Sequence, residues 1–479
     1  MKILFASAEV APFAKVGGLA DVAGSLPLAL AARGHDVRVI MPKYLSVTEG
    51  KAQGKWDLWR AVPGCPVLMP GWSSGCALDE SRLPGSDVPI YFVEHHDYFS
   101  RPYIYGPPGG SYDDNLERLT FFCRAVLAVR EPLGWQPDIL HLNDWHTTLA
   151  AVYLEGGPPA TIFTIHNLGA AYQGTFPADK LPVTGLQPEY PCASQLLRDG
   201  QLNLAAAGLS CAGMINAVSP TYAQEIAEPE FSAGLAPLVK ARGKDVWGIL
   251  NGIDYDAWNP ATDAALDANF SLEDPSGKAA CKAALQREAG LPEDPSLPVV
   301  GLVTRLDSQK GLDLLAEALP KLEGMQLVVL GTGAPEYEQL FREAAATRQD
   351  VAAFLTFNDG LARRIYAGSD LFLMPSRYEP CGLGQMISMR YGTLPVVRAT
   401  GGLADSVTEK GRPGQKQNGF VFTDYSAAEL MAALERALKL YRERPARWQE
   451  LVASALATDF TWDRSAGEYE KLYEAALAK

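Results

Sequence analysis

The sequence predicts an α/β protein made of two Rossmann-like, doubly wound domains, on three observations. A strand, loop, helix and strand open the chain as KILFASAEV, APFAKVGG, LADVAGSLPLALAARG and DVRVIMP, the spacing changing from a short apolar run to a 3.6-residue period and back. The same unit starts again near residue 297 as PVVGLVTRL, DSQKG, LDLLAEALPKL and MQLVVLGTG. Short apolar segments then alternate with helical ones in both halves, the pattern of parallel sheets covered on both faces.

The further strands are DILHLND, ATIFTIHN and GMINAVS in the first half, and LFLMPSR and LPVVRAT in the second. Residues 240 to 295 hold GKDVWGILNGIDYDAWNPATD and DPSGKAACK, a turn-rich connection followed by the first helix of a new domain. The last segment, FTWDRSAGEYEKLYEAALAK, puts Trp462, Tyr469, Leu472, Tyr473 and Ala476 on one helical face behind Thr461 as a candidate N-cap. That apolar face requires a packing partner. Ligands of open α/β sheets collect beyond the carboxyl ends of the strands, so the functional motifs are expected in a cleft between the two domains.

A chain of 479 residues accommodates two large domains, and 47% hydrophobic with 20% charged residues is a globular balance rather than a disordered one. The formal charge of −14 argues against a general binder of nucleic acid or anionic membrane, so any anionic ligand has to be met by local positive charge. Seven scattered cysteines without a CxxC indicate neither a disulfide framework nor a zinc ribbon, which points to a reducing cytoplasm. MKILFASAEV mimics a signal peptide, but its apolar stretch is short and Glu9 interrupts it, so it reads as a buried strand. No uncharged apolar run approaches the about 20 residues that cross a bilayer.

Four motifs carry chemistry. In KVGGLADVAG, Gly17 and Gly18 let backbone N–H groups approach an anion and Lys15 adds a mobile charge; a glycine turn for tight packing is the alternative. In TRLDSQKG, Arg305 and Lys310 follow the first strand of the second domain and suit a diphosphate, unless they are solvated loop charges. His166 ends the apolar run ATIFTI and Asp144 ends HLND, both at strand carboxyl ends; packing or loop capping would explain them equally. In SRYEPCGLGQ, Pro380 keeps Glu379 out of the helical region, while Gly382 and Gly384 precede a helix and make an anion nest beside the carboxylate. ATGGLAD is read as repeating that arrangement one strand later.

A carboxylate beside a phosphate site repels the phosphate, yet it suits sugar hydroxyls or a developing sugar cation, so the combination points to a nucleotide sugar. Competing nucleotide signatures fail: GTGAPE lacks the last glycine of GxGxxG, and no GxxxxGK[ST] occurs. DYDAW contains an Asp-x-Asp of the kind that holds cations, a spacing too common to predict a metal.

Together KVGGLADV, HLNDWH, TIHN, AVSPTYAQEI, NGIDYDAWNP, TRLDSQKGLD, SRYEPCGLGQ and GTLPVVRATGGLAD resemble the bacterial glycogen synthases and their plant relatives, the starch synthases, over essentially the whole chain. The resemblance implies a GT-B fold: a first domain of residues 1–245 on the acceptor side, a second of 246–457 on the nucleotide-sugar side, and a C-terminal helix within 458–479 crossing back to the first. It implies retaining transfer of glucose from ADP-glucose to the non-reducing end of an α-1,4-glucan, with no metal or other cofactor. By the same resemblance Lys15, Gly18 and Asp21 contact the donor, Arg305 and Lys310 meet the leaving diphosphate, and Glu379 faces the donor glucose. His166 and Asn251 contact glucose hydroxyls, Asp144 lines the acceptor side, and Cys381, Gly382, Leu383 and Gly384 complete the cradle. Phe357 takes the place of a tyrosine that covers the adenine, keeping its stacking face. Two positions depart from the family: Ala206 stands where a lysine is usual, and LGAAYQG after His166 is two residues longer. These departures motivate a competing reading, a catalytically weakened homologue that binds glucan or nucleotide in a regulatory role; UDP-glucose as donor is a third.

Overall fold

In the computed structural model, which describes residues 1–107, 109–187, 193–411 and 415–479, the apolar runs of the sequence become the strands of two large sheets. The first part of the chain supplies β1 (Lys2–Ala6), β2 (Asp36–Pro42), β3 (Trp59–Met69), β4 (Trp72–Arg82), β5 (Pro89–Glu94), β6 (Ile139–Asn143) and β7 (Ala160–Ile165). Three short strands, β8 (Thr175–Pro177), β9 (Leu197–Arg198) and β10 (Gln201–Asn203), form a small antiparallel sheet of their own. With β11 (Met214–Ala217) and β12 (Val246–Gly248), the large sheet runs β12-β11-β7-β6-β1-β2-β5-β4-β3.

From β12 to β5 all neighbours are parallel, and β5, β4 and β3 pair antiparallel at one edge. The sequence reading missed the β3–β4 hairpin. Pro63, Gly64, Pro66 and Gly75 break its alternation, and the register shifts between Arg60 and Cys65; such residues are tolerated because β3 is an edge strand.

The second sheet contains β13 (Val299–Val303), β14 (Gln326–Leu330), β15 (Val351–Phe354), β16 (Leu371–Met374), β17 (Leu394–Arg398) and β18 (Phe420–Phe422), all parallel, in the order β15-β14-β13-β16-β17-β18. Counted from its own first strand this is 3-2-1-4-5-6, the order of a dinucleotide-binding fold. The first sheet has the same logic: β1 leads outward to β2 and β5, whereas β6, β7 and β11 run the other way. Each sheet therefore has one point where strand order reverses, between β1 and β6 and between β13 and β16. The loops leaving those paired strands are the places where such sheets hold ligands.

The chain divides into two compact units, Met1–Gly252 with Trp462–Lys479, and Ile253–Thr461. This corrects both expected boundaries by a few residues. β12 pairs with β11 and so keeps residues 246–248 in the first unit. Ile253 bridges Thr461 and donates its N–H to the Phe460 carbonyl at 2.8 Å, which keeps the chain up to Thr461 in the second.

The helix Trp462–Leu477 belongs to the first unit and buries Trp462, Tyr469, Leu472, Tyr473 and Ala476, the face expected from its spacing. The Tyr473 hydroxyl lies 2.8 Å from His141 Nδ1, and the Tyr469 hydroxyl accepts from Asn216 Nδ2 at 3.0 Å, so this helix supplies partners to two buried polar strand residues. Cys65, Cys76, Cys123, Cys281 and Cys381 are buried free thiols. Cys211 departs from the cysteine reading, because it is disulfide-bonded; spacing along the chain does not report proximity in space. Cys192 lies outside the described residues. Among the described residues no helix is long and apolar enough to cross a membrane.

Candidate active site

In the first unit the candidate residues leave β1, β6 and β7. The loop after β1 is folded by reciprocal backbone bonds, Val10 N–H to Ala14 O at 3.1 Å and Ala14 N–H to Val10 O at 3.0 Å. Glu9 closes it. One oxygen of this buried carboxylate accepts from the backbone N–H of Val16 at 2.5 Å and of Gly17 at 3.0 Å, and the other accepts from the Tyr105 hydroxyl at 2.6 Å. Burial raises the Glu9 carboxyl above its ordinary value against the lowering effect of those three donors.

The amides of Val16 and Gly17 thus serve a side chain, which corrects the expectation that the loop at Gly17 offers bare amides to an anion. Gly17 itself has φ −138°, accessible to any residue, and a Cβ built there meets nothing within 4 Å. Its missing side chain leaves room rather than permitting a turn. Gly18 begins the helix Gly18–Ala32, while Lys15 and Asp21, two expected donor contacts, pair with each other at 2.7 Å on the surface.

Asp144 follows β6 with φ +52°, a left-handed conformation unusual outside glycine and a mark of local strain. Its Oδ1 accepts from the His166 N–H at 2.8 Å, and its own N–H donates to Thr164 O at 3.0 Å. Burial pushes the Asp144 carboxyl up to about 7, with Glu9 adding to the shift. The His166 ring lies 3.0 Å, through Nε2, from Asn143 Oδ1. Asn143 is oriented because its amide donates to Ala6 O at 3.0 Å, so Nε2 of His166 carries the proton and Nδ1 keeps its lone pair. Burial pushes this histidine down to about 3, which leaves it neutral near pH 7. Asn251 is 5% exposed, and its Oδ1 finds no hydrogen-bond partner among the described residues.

A pH effect follows from Asp144. The unfolded carboxyl titrates near 3.8 and the folded one near 7, so the native state holds a proton that the unfolded chain has lost across that window. This contribution to stability is complete at the acid end and is lost as pH rises through about 7. Asp144→Asn keeps an oxygen for the His166 N–H and removes the charge. Between about pH 5 and pH 8 its melting temperature is expected to fall less than the parent's. Parallel melting curves for the two proteins would contradict this.

Both family departures sit in packed surroundings. Gln173, in the lengthened loop, donates to Leu168 O and Ser232 O at 2.9 Å each and accepts from Asn203 at 2.7 Å. Ala206 is fully buried in the first turn of the helix Leu204–Cys211, and its N–H is capped by Asn203 Oδ1 at 2.9 Å.

In the second unit the candidates leave β13 and β16, the paired strands of the switch point. Arg305 is well exposed, with Asp307 at 3.3 Å. Lys310 Nζ lies 2.8 Å from Glu379 Oε2, and the Ser376 hydroxyl donates to the same oxygen at 3.0 Å. Glu379 is 6% exposed, so the charge expected beside the glycine loop is compensated by a lysine from the neighbouring loop. Gly311 makes this approach possible: φ is +69°, and a Cβ there would lie 1.9 Å from Pro375 O. Arg377 N–H to Gln309 O at 2.8 Å ties the two loops together.

After Glu379 the chain turns at Gly382, φ +71°. Gln385 donates to the carbonyls of Cys381 and Gly382 at 3.1 and 3.0 Å. Because a trans peptide opposes its C=O and N–H, the N–H groups of Gly382 and Leu383 point away from buried Gln385. Cys381 is buried, Leu383 flanks the helix Gly384–Arg390, and a Cβ on Gly384 would come within 3.0 Å of the Phe372 ring.

The reading of ATGGLAD as a second anion nest is corrected by the packing. A Cβ on Gly401 would stand 1.9 Å from Glu379 O and one on Gly402 2.1 Å from Cys381 O, while Gly402 N–H donates to Glu379 O at 3.1 Å. These glycines brace the Glu379 loop. The GTG glycines likewise pack on backbone, a Cβ at Gly331 falling 1.9 Å from Thr304 O. Asp254 of DYDAW accepts from the N–H groups of Asp256 and Ala257 at 2.8 and 3.1 Å. Phe357, 90% exposed, stands before Asn358, the cap of the helix Asp359–Gly368.

The structure thus brings together Lys15 with Asp21 and Asp144 with His166 in one unit, and Lys310 with Glu379, next to residues 381–384, in the other, while Arg305 pairs with Asp307 in the loop that carries Lys310. Among the described residues Asn251 and Phe357 form no hydrogen bond with these pairs, Asn251 being buried and Phe357 exposed. Glu9, Tyr105, Asn143 and Ser376 were not anticipated. A charge ending the apolar first strand was the available signal for Glu9.

Known proteins share this organisation. The starch synthase catalytic domain profile matches residues 2–241, and that of glycosyl transferases group 1 matches residues 285–452. The chain is 50% identical to the glycogen synthase of Anaeromyxobacter dehalogenans strain 2CP-1, over 99% of this chain and 98% of that protein, and 44% identical to that of Geotalea daltonii, over 100% and 99%. It belongs to the glycogen and starch synthase family of glycosyltransferases. Among solved structures it resembles the catalytic domain of starch synthase IV from Arabidopsis thaliana bound to ADP and acarbose, with TM-score 0.88 and 36% identity over 100% of this chain and 99% of that one. Sucrose-phosphate synthase from Thermosynechococcus elongatus, at TM-score 0.62 and 19% identity over 100% and 99%, shares the fold. The two Rossmann-like units are those of a GT-B glycosyltransferase.

Proposed function

We propose that this member of the glycogen synthase family transfers glucose from ADP-glucose to the non-reducing end of an α-1,4-glucan, with retention, in the cytoplasm and without a metal or other cofactor. The buried Lys310–Glu379 pair at the switch point of the second sheet carries the reading. A lone carboxylate would repel a diphosphate; one held by Lys310 and Ser376 can face a sugar while Arg305 and Lys310 meet the departing ADP. Charge develops on the leaving oxygen as the glycosidic bond breaks, and preorganised cations and N–H groups at Gly382 and Leu383 stabilise it.

The first unit supplies hydroxyl partners. His166 is neutral with a lone pair on Nδ1, and Asn251 holds a buried acceptor unused among the described residues, so each accepts a hydrogen bond from a glucose hydroxyl. Asp144 lines the acceptor side, Lys15, Gly18 and Asp21 the donor side, and the exposed Phe357 ring stacks on the adenine. The starch synthase IV relative, bound to ADP and acarbose, supports an adenine nucleotide and a glucan-like acceptor.

The test is a donor panel: purified protein with glycogen and labelled ADP-glucose or UDP-glucose, with and without EDTA. Label is expected in glucan from ADP-glucose at a rate at least about tenfold above that from UDP-glucose, unchanged by EDTA. Preference for UDP-glucose would overturn the donor assignment, and EDTA inhibition the metal-free one. No label from either donor, with nucleotide still bound, would favour the regulatory reading.

A further inference from the structure

We propose that Glu9 is a positioning residue for the donor: its carboxylate sets the conformation of the 15–18 loop in which Lys15 and Gly18 meet the nucleotide sugar. The inference rests on the donor role proposed above for Lys15 and Gly18, but its structural half stands on bonds within the first unit.

Glu9 leaves β1 at the switch point and is 4% exposed. Among the described residues its carboxylate oxygens bond to two segments. Oε2 takes the Val16 and Gly17 N–H groups at 2.5 and 3.0 Å, next to Lys15 on one side and Gly18 on the other; Oε1 takes the Tyr105 hydroxyl at 2.6 Å.

Tyr105 is itself anchored. Its carbonyl accepts from Asn115 Nδ2 at 2.8 Å and from the Tyr112 N–H at 2.9 Å, and the neighbouring Ile104 carbonyl accepts from buried Arg118 at 2.8 Å. The ring stacks on His146 with centroids 4.9 Å apart. A carboxylate clamped to a fixed hydroxyl on one oxygen and to two loop amides on the other fixes where that loop stands.

The loop needs such a holder. Gly17 precedes the helix Gly18–Ala32 with no side-chain cap, and open space surrounds its Cβ position. Among the described residues the Lys15 side chain pairs with Asp21, an exposed contact. Without Glu9 the Val16 and Gly17 amides lose their acceptor, and Lys15 lies between the Val10–Ala14 backbone bridge and the longer Ala20 N–H to Gly17 O bond of 3.3 Å, with its own stretch of loop untied. Displacement of a binding group by about 1 Å costs up to about 10²-fold in efficiency.

Gln in place of Glu9 keeps the grip. A carboxamide oxygen accepts both amides as Oε2 does, and its NH₂ donates to the Tyr105 oxygen. Asp is one methylene short, and Ala removes the acceptor.

The experiment compares the full-length parent with Glu9→Gln, Glu9→Asp and Glu9→Ala. Backbone hydrogen exchange over residues 10–20 is followed without ligand, together with KM for ADP-glucose, KM for glycogen and melting temperature. Faster exchange of this segment in Glu9→Ala and Glu9→Asp is expected, with protection kept in Glu9→Gln. The KM for ADP-glucose should rise by about tenfold or more in Glu9→Ala with the glycogen KM unchanged, and stay near the parent's in Glu9→Gln.

Unchanged exchange in Glu9→Ala would overturn the clamp whatever the donor. Exchange that rises while the ADP-glucose KM stays put would overturn the positioning role. Equal losses in Glu9→Gln and Glu9→Ala, with matching drops in melting temperature, would reduce Glu9 to a purely structural residue. A parent that neither turns over nor binds ADP-glucose counts against the proposed function, and the exchange arm then decides the clamp alone.

Discussion

Lys310→Ala is expected to lower turnover with ADP-glucose by about 10²-fold to 10³-fold, the scale of losing a main electrostatic donor. Two effects combine. The ammonium that meets the leaving diphosphate disappears, and Glu379, 6% exposed, loses the partner 2.8 Å away. Breaking a buried ion pair by removing one partner costs about 3 to 5 kcal/mol, so the melting temperature should fall as well. The double variant Lys310→Met with Glu379→Gln separates the two. It removes both charges together and is expected to regain most of the stability but none of the turnover. Single-turnover rates and thermal melts read the two quantities independently. A Lys310→Ala enzyme with parental turnover would remove the lysine from the reacting centre.

The second large effect comes from a glycine packed against the backbone of the Glu379 loop. Gly401→Ala puts a Cβ 1.9 Å from the Glu379 carbonyl at a φ of +44°, where a side chain is strained in any case. The obstacle is backbone, so the Glu379 loop has to move. A loss of about 10²-fold in kcat is expected from that displacement, with overpacking destabilising the fold by about 1 to 3 kcal/mol. Gly17→Ala is the contrasting case, since its Cβ meets nothing within 4 Å, and its melting temperature should match the parent's. Parental kcat in Gly401→Ala would show that the brace does not set the position of Glu379.

Much of this arrangement was legible before the structure. Parallel strands buried on both faces are continuous apolar runs, so β1, β6, β7, β13, β14, β16 and β17 stand out, and the loops after them hold Lys15, Asp144, His166, Lys310 and Glu379. The helix 462–477 was legible because one apolar stripe at helical spacing has to be buried. The edge hairpin β3–β4 was not, because its prolines and glycines hide the alternation that a strand otherwise shows.

Roles that depend on which backbone lies opposite were also invisible. GG at 401–402 reads in sequence like the GG at 17–18, yet the first pair braces a carbonyl loop and Gly17 borders open space. The Glu9 carboxylate read only as an interruption of an apolar run. Its partners, Val16, Gly17 and Tyr105, are brought to it by the loop after β1 and by a segment almost a hundred residues away.

The most direct test of the account is where the glucose goes. Labelled ADP-glucose is incubated with glycogen and purified protein, and the washed polymer is digested from its non-reducing ends by an exo-acting enzyme specific for α-1,4 bonds. The account expects the label in the polymer, released in the first glucose units, with free ADP formed in equal amount and the signal largely absent for Lys310→Ala. ADP-glucose left intact, or label found only in a small soluble product, would contradict it.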